Sequence, residues 1–170
     1  SFLTETGTVE LRELGFENIC DFPKPVALEK QILNLSIEDD DIVLDFFAGS
    51  ATTAQAVLEL NKEDGGNRKF ILVQLPEECD EESEAYKAGY KTIVDIGKER
   101  IRRVIKKMQT EAEEDKKKKE GELHLTPHES RLTTDLGFKV FKLSCSNFKI
   151  WRGSEITEEN LEAQLDAFTN

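Results

Sequence analysis

Residues 41–57, DIVLDFFAGSATTAQAV, set an acid, Asp45, directly before a turn of small residues, with Gly49 followed by the hydroxyls of Ser50, Thr52 and Thr53. Gly49 lets the backbone turn and lets a ligand approach with no Cβ in the way. The hydroxyls, together with the unpaired N–H groups at the start of a helix, favour an anionic group such as a carboxylate or phosphate. Asp45, at the end of the preceding apolar run, suits a positive group or a hydroxyl. An acid beside an anion-binding turn matches an amino-acid zwitterion better than a triphosphate. A triphosphate loop would carry a lysine after the glycine, and a dinucleotide fingerprint would carry three glycines where this turn has one. The same small residues are also compatible with simple close packing.

The turn needs a strand before it and a helix behind it, and the flanking patterns predict both. Residues 42–47 are a short apolar run of the kind buried on both faces of a sheet, and residues 51–60 read as a helix. After the glycine turn in NKEDGGNRK, the run KFILVQL repeats the buried-strand pattern, with Gln74 near its end. Upstream, Pro23 and Pro25 disfavour helix before them and place a helix start near Pro25. The first residues predict a loop with a short helix, through Val9, Leu11, Leu14 and Phe16. Residues 84–108 predict one long amphipathic helix with a basic end. Residues 111–126 combine an acidic block with a lysine block and read as a charged linker or excursion. The alternation in LGFKVFKLS predicts a third strand at 138–143, and TEENLEAQLDAF predicts a capped terminal helix. The expected fold is thus α/β, a partial Rossmann-like sheet of about three strands with flanking helices. Ligands of such sheets bind outside the carboxyl ends of the strands, which is where Asp45 and Gly49 fall.

The chain has 170 residues and a net charge of -12, which argues against wrapping nucleic acid by bulk electrostatics. Its cysteines, Cys20, Cys79 and Cys145, are odd in number and widely spaced, which fits a reducing cytoplasm rather than a disulfide framework. No run is long enough for a membrane helix, so a soluble cytoplasmic protein is expected. His124 and His128 stand four apart, but Pro127 interrupts the helix that would pair them as metal ligands, and no metal is expected. Trp151 is read as a packing anchor. The cluster Glu77, Glu78, Asp80, Glu81 and Glu82 is read as a cap for the long helix. The basic run Lys98, Arg100, Arg102, Arg103, Lys106 and Lys107 is read as a solvated helix face.

DFFAGSATTAQAV resembles the AdoMet-binding motif I of amino-group DNA methyltransferases, FPKPVALEKQIL their motif X, and GGNRKFILVQLPE the stretch containing motif II. Motif X directly before motif I is the order of the permuted β class. With TGTVELRELGF, IGKERIRRV and DLGFKVFKLSCSNFKIW, the resemblance extends along nearly the whole chain. It points to the carboxy-terminal part of the modification subunit of type III restriction-modification systems, a β-class adenine-N6 methyltransferase.

The resemblance implies S-adenosyl-L-methionine as cofactor. Lys24 and Pro25 match motif X, beside the methionine end of the cofactor. Asp45, Phe46, Phe47, Ala48, Gly49, Ser50, Thr52 and Thr53 match motif I, and Gln74 falls where many relatives carry an acid bound to the ribose. Ala51 departs from the usual glycine. The Asp-Pro-Pro-Tyr type catalytic motif of the family is missing, which implies a chain that does not methylate DNA by itself. DNA would then be met through the rest of the methyltransferase, and an amino-terminal region carrying the catalytic motif would be a partner, alongside a second modification subunit and a restriction subunit. The implied organisation is a cofactor-binding part at 1–110, the charged segment at 111–126, and a third strand with a terminal helix at 127–170. Two rival readings are a non-catalytic scaffold remnant of such an enzyme and an unrelated nucleotide-binding α/β domain.

Overall fold

The computed structural model describes residues 4–20, 23–121, 135–144 and 161. In chain order they form helices α1 (Thr4–Glu13) and α2 (Val26–Ser36), strand β1 (Ile42–Asp45), helix α3 (Thr52–Asp64), strand β2 (Lys69–Leu72), the single turn α4 (Glu84–Lys87) and the long α5 (Ile93–Gly121). Two compact units divide the chain, Ser1–Leu136 and Gly137–Asn170, and all of these elements belong to the first.

The expected strand, turn, helix, strand order is present. β1 and β2 lie side by side and parallel, with Val43 opposite Phe70 and Asp45 opposite Leu72. Parallel neighbours need a crossover between them, and α3 supplies it. Pairing continues past the strand ends: the Val73 N–H donates to the Asp45 carbonyl at 2.8 Å and the Ala48 N–H to the Val73 carbonyl at 3.2 Å. These bonds draw the turn after β1 against the carboxyl end of β2.

Side chains alternate across a sheet, and the two faces have different fates. Val43 and Phe70 pack on Val26, Leu33, Ala56, Val57 and Leu60 of α2 and α3. On the opposite face Ile42, Leu44 and Ile71 stay 60%, 59% and 52% exposed. β1 and β2 therefore have one covered face, although both runs are apolar enough for two.

The entry to β2 is pinned by Arg68. Its buried guanidinium pairs with Asp39 at 2.6 Å and Asp64 at 2.8 Å. Its backbone exchanges hydrogen bonds with the buried Asn61 side chain: the Arg68 N–H donates to Asn61 Oδ1, and Asn61 Nδ2 donates to the Arg68 carbonyl.

Several elements differ from the sequence expectation. The third strand expected at 138–143 is not seen: described residues 135–144 form no strand, and Phe141 and Leu143 are 84% and 91% exposed. Alternation makes a segment suitable for a sheet, but a strand exists only with a paired neighbour. The described residues thus hold two strands rather than about three. The single helix expected over 84–108 is divided into α4 and α5 by Gly89, whose φ of +95° turns the chain. α5 then restarts on a reciprocal cap, with Thr92 Oγ1 accepting from the Asp95 N–H and Asp95 Oδ2 accepting from the Thr92 N–H. The acidic cluster at 77–82 supplies neither N-cap, since Ser83 caps α4. Residues 111–121, read from sequence as a charged excursion, continue α5, and Glu111 reaches Lys62 of α3 at 2.5 Å. The expected terminal helix lies outside the described residues except for Leu161, which is helical, and His124, His128 and Trp151 also lie outside them.

Candidate functional site

A cleft of about 810 Å³ opens at the carboxyl ends of the two strands. Its floor is the turn after β1, and one wall carries Lys24, which precedes α2, and Glu29 from the first turn of α2. The facing wall is built by residues from Glu77 to Asp80 and by the start of α5. Lys24, Asp45, Phe46, Phe47, Ala48, Gly49, Ser50, Thr52 and Thr53 all line it, so the segments that resemble motif X and motif I meet in one cleft. Pro25 and Gln74 do not. Pro25 is buried at the head of α2, where its ψ of 132° ends the extended entry to the helix.

Hydrogen bonds fix the turn from beneath and behind. Asp45 accepts from the Phe47 N–H at 3.0 Å and from the Thr53 hydroxyl at 2.6 Å, so its carboxylate is held in one orientation with acceptor capacity remaining. Gln74 Oε1 accepts the Gly49 N–H at 2.8 Å, and its Nε2 donates to the Leu75 carbonyl at 3.3 Å. In this arrangement Gln74 is a strut for the turn. Phe46 and Phe47 stack in a tilted pair, 5.1 Å between centroids, and remain 64% and 82% exposed.

Gly49 has φ +50° and Ala51 has φ 63° and ψ 38°. The left-handed region costs an L-residue with a Cβ roughly 1–2 kcal/mol, so Ala51 is strained where glycine would not be. The turn packs against α5. A Cβ added at Gly97 would lie 3.4 Å from the Ala51 methyl and 3.4 Å from the Gly49 carbonyl, so α5 approaches the turn closely at this position.

Two site features escaped the sequence reading. The first is Glu29, a partly buried carboxylate on the cleft wall near Asp45. Burial pushes its pKa up and the Asp45 charge pushes it further, while Lys24 pulls it down. The available signal was its position: Glu29 falls between Val26 and Leu33 on the buried stripe of α2, where an acid is out of pattern. A carboxyl group whose folded-state pKa is raised destabilises the fold when ionised. Glu29→Gln is therefore expected to raise the thermal midpoint at neutral pH. The gain should close as pH falls through the raised pKa toward the ordinary glutamate value, because the wild-type side chain then takes up its proton. Melting curves across that range check it, and a gain independent of pH would mean that charge is not the cause.

The second is the basic face of α5, expected to be solvated. Arg100 is fully buried, at 0% exposure. Its Nε donates to Gln55 Oε1 at 2.8 Å, and its Nη1 to Ser50 Oγ at 3.0 Å and Thr52 Oγ1 at 2.8 Å. Burial lowers its pKa to about 10, which leaves it charged at neutral pH. Arg103 lies over the Phe16 ring at 4.2 Å and donates to the Leu14 and Gly15 carbonyls and to Tyr90 Oη. A guanidinium can be buried when fixed acceptors match its fork, and here the acceptors come from other elements. Among the described residues no His, Cys, Asp and Glu cluster suits a metal ion, and no helix is long and apolar enough to cross a membrane.

The DNA methylase family (N6_N4_Mtase) matches residues 12–84, which span motif X, the turn and β2. The type III restriction-modification enzyme StyLTI Mod subunit of Salmonella typhimurium is 39% identical over 96% of this chain and 23% of its own length. The type III restriction-modification enzyme EcoPI Mod subunit of Escherichia phage P1 is 34% identical over 99% of this chain and 28% of its own. The type II methyltransferase M.KpnI of Klebsiella pneumoniae is 41% identical over 56% of this chain and 23% of its own. The chain spans about a quarter of the length of the curated relatives it matches. With the DNA methylase match covering the cleft and the Mod-subunit alignments running through nearly all of the sequence, the chain corresponds to a stretch of the modification subunits of type III restriction-modification systems.

Proposed function

We propose that the cleft binds S-adenosyl-L-methionine and that the chain is the cofactor-binding part of a site-specific adenine-N6 DNA methyltransferase. The observation that carries this reading is one cleft combining Lys24, the Asp45 and Glu29 carboxylates, and the Gly49 turn. This donor set fits the cofactor's zwitterionic end. The carboxylates accept from an ammonium, Lys24 pairs with a carboxylate, and the turn admits a ligand against backbone. Phe46 and Phe47 offer an apolar wall to the adenosine. Gln74, outside the cleft lining, supports the site from behind by accepting the Gly49 N–H.

When bound, the cofactor supplies an electrophilic methyl group. The residues of this chain hold and orient it, and the target adenine has to be flipped out of the duplex to meet it. DNA, the catalytic motif, a second modification subunit and a restriction subunit belong to the rest of the assembly in this reading. Titration calorimetry tests the cofactor assignment: S-adenosyl-L-methionine and S-adenosylhomocysteine are expected to bind this chain, and ATP and NAD are not. Equal binding of ATP would point to a general nucleotide site, and no binding of either methionine-derived ligand would overturn the proposal.

A further inference from the structure

We infer that Arg100 is a positioning residue for the cofactor turn, a buried clamp on α5 that holds Ser50 and Thr52 and thereby keeps Ala51 in its left-handed conformation. The ligand named in the test rests on the AdoMet reading above, but the clamp itself rests on geometry alone. Ala51 lies between the two clamped residues. Nη1 reaches the Ser50 hydroxyl at 3.0 Å, the Ser50 carbonyl at 3.4 Å and the Thr52 hydroxyl at 2.8 Å, so one nitrogen engages both sides of the strained residue. One helical turn earlier on α5, Gly97 receives the Ala51 methyl. α5 thus meets the turn with a close approach at Gly97 and a charged group at Arg100 that holds both sides of Ala51.

The arrangement also explains where the hydroxyls point. Ser50 and Thr52 accept from Arg100, and the Thr53 hydroxyl donates to Asp45. These hydrogen bonds organise the turn internally, although the same three residues line the cleft. Arg100 is also more than a filler of core volume, since its Nη2 is buried without a partner among the described residues while Nε and Nη1 are engaged at Gln55, Ser50 and Thr52. A side chain serving packing alone would have no need of a charge whose desolvation is incompletely compensated.

The test is a double-mutant cycle on the full chain with Arg100→Met and Ala51→Gly, read by S-adenosylhomocysteine affinity and by amide hydrogen exchange over Gly49 to Thr52 without ligand. Arg100→Met is expected to weaken binding roughly tenfold to a hundredfold, the range for losing hydrogen bonds from a charged donor, and to speed exchange in the turn. Ala51→Gly, which adopts the left-handed region without strain, is expected to change little alone and to restore most of the affinity in the double variant. If wild type binds and Arg100→Met binds equally, or if Ala51→Gly gives no rescue, the clamp is refuted. If wild type fails to bind but Arg100→Met still speeds turn exchange, the clamp stands and the cofactor assignment falls; unchanged exchange refutes the clamp with or without a ligand. Should Arg100→Met fail to fold, Arg100→Lys, which keeps the charge and loses the fork, replaces it in the cycle. Failure of both to fold would make Arg100 a core residue and overturn the inference.

Discussion

Gly49→Val is expected to weaken S-adenosyl-L-methionine binding by a hundredfold or more, on the order of 3 kcal/mol, while the chain stays folded. The space at Gly49 explains the difference between the two effects. A Cβ built there meets no protein atom closer than the Phe47 carbonyl at 4.0 Å, so the fold does not exclude a side chain sterically. The backbone does resist one, because φ is +50° and a β-branched residue is a rare outlier in that region. Valine would pull the turn toward an ordinary conformation, disturb the Gly49 N–H bond to Gln74, and fill cleft space that the ligand needs. The cost to stability should be about 1–2 kcal/mol, the ordinary penalty of a left-handed residue. Asp45→Ala should approach the Gly49 effect, because it removes both a ligand-facing carboxylate and the acceptor that holds Phe47 and Thr53. Calorimetric titration of folded variants ranks them. An unchanged dissociation constant for Gly49→Val would remove the turn from the binding site.

Reconstitution is the second large effect expected. This chain alone should transfer no methyl groups to DNA, and mixing it with an amino-terminal methyltransferase region carrying the catalytic motif should produce adenine methylation. The sheet supplies the physical reason. The Asp41 and Asp45 carbonyls accept from Lys69 and Val73 of the β2 segment. In a parallel ladder alternate residues turn toward the same neighbour. Ile42 and Leu44 therefore direct their N–H and C=O groups to the far edge of β1, where no described strand pairs with them. Their side chains and that of Ile71 lie exposed on the uncovered face. An apolar edge with free backbone groups is a template for another strand. The amides of Ile42 and Leu44 should exchange rapidly in the isolated chain, or be protected only through self-association, and become protected in the mixture as methylation appears. Strong protection of those amides in a stable monomer, or methylation by the chain unaided, would refute the open edge.

Local features of this protein were readable from the order of its residues because their causes are local. The apolar run before Gly49 and the helix former after it specify β1, the turn and α3 within about twenty residues, and a parallel partner follows once a second such run appears beyond the crossover. The prolines before Val26 specify the start of α2 because they constrain their own φ and the residue before them. Residues 138–143 show the limit of this reasoning: alternation describes a surface that could pair, and the pairing itself depends on a neighbour. Arg100 shows it more sharply. Its charged neighbours Lys98, Arg102 and Arg103 suggest a wetted face, yet its acceptors on Ser50, Thr52 and Gln55 arrive from 45 to 50 residues earlier in the chain. Glu29 likewise acquires its raised pKa only when the fold buries it in the cleft and sets it beside Asp45. Whether a charge is solvated, clamped or coupled to another depends on which groups meet it across the fold, and periodicity along one helix carries no record of them.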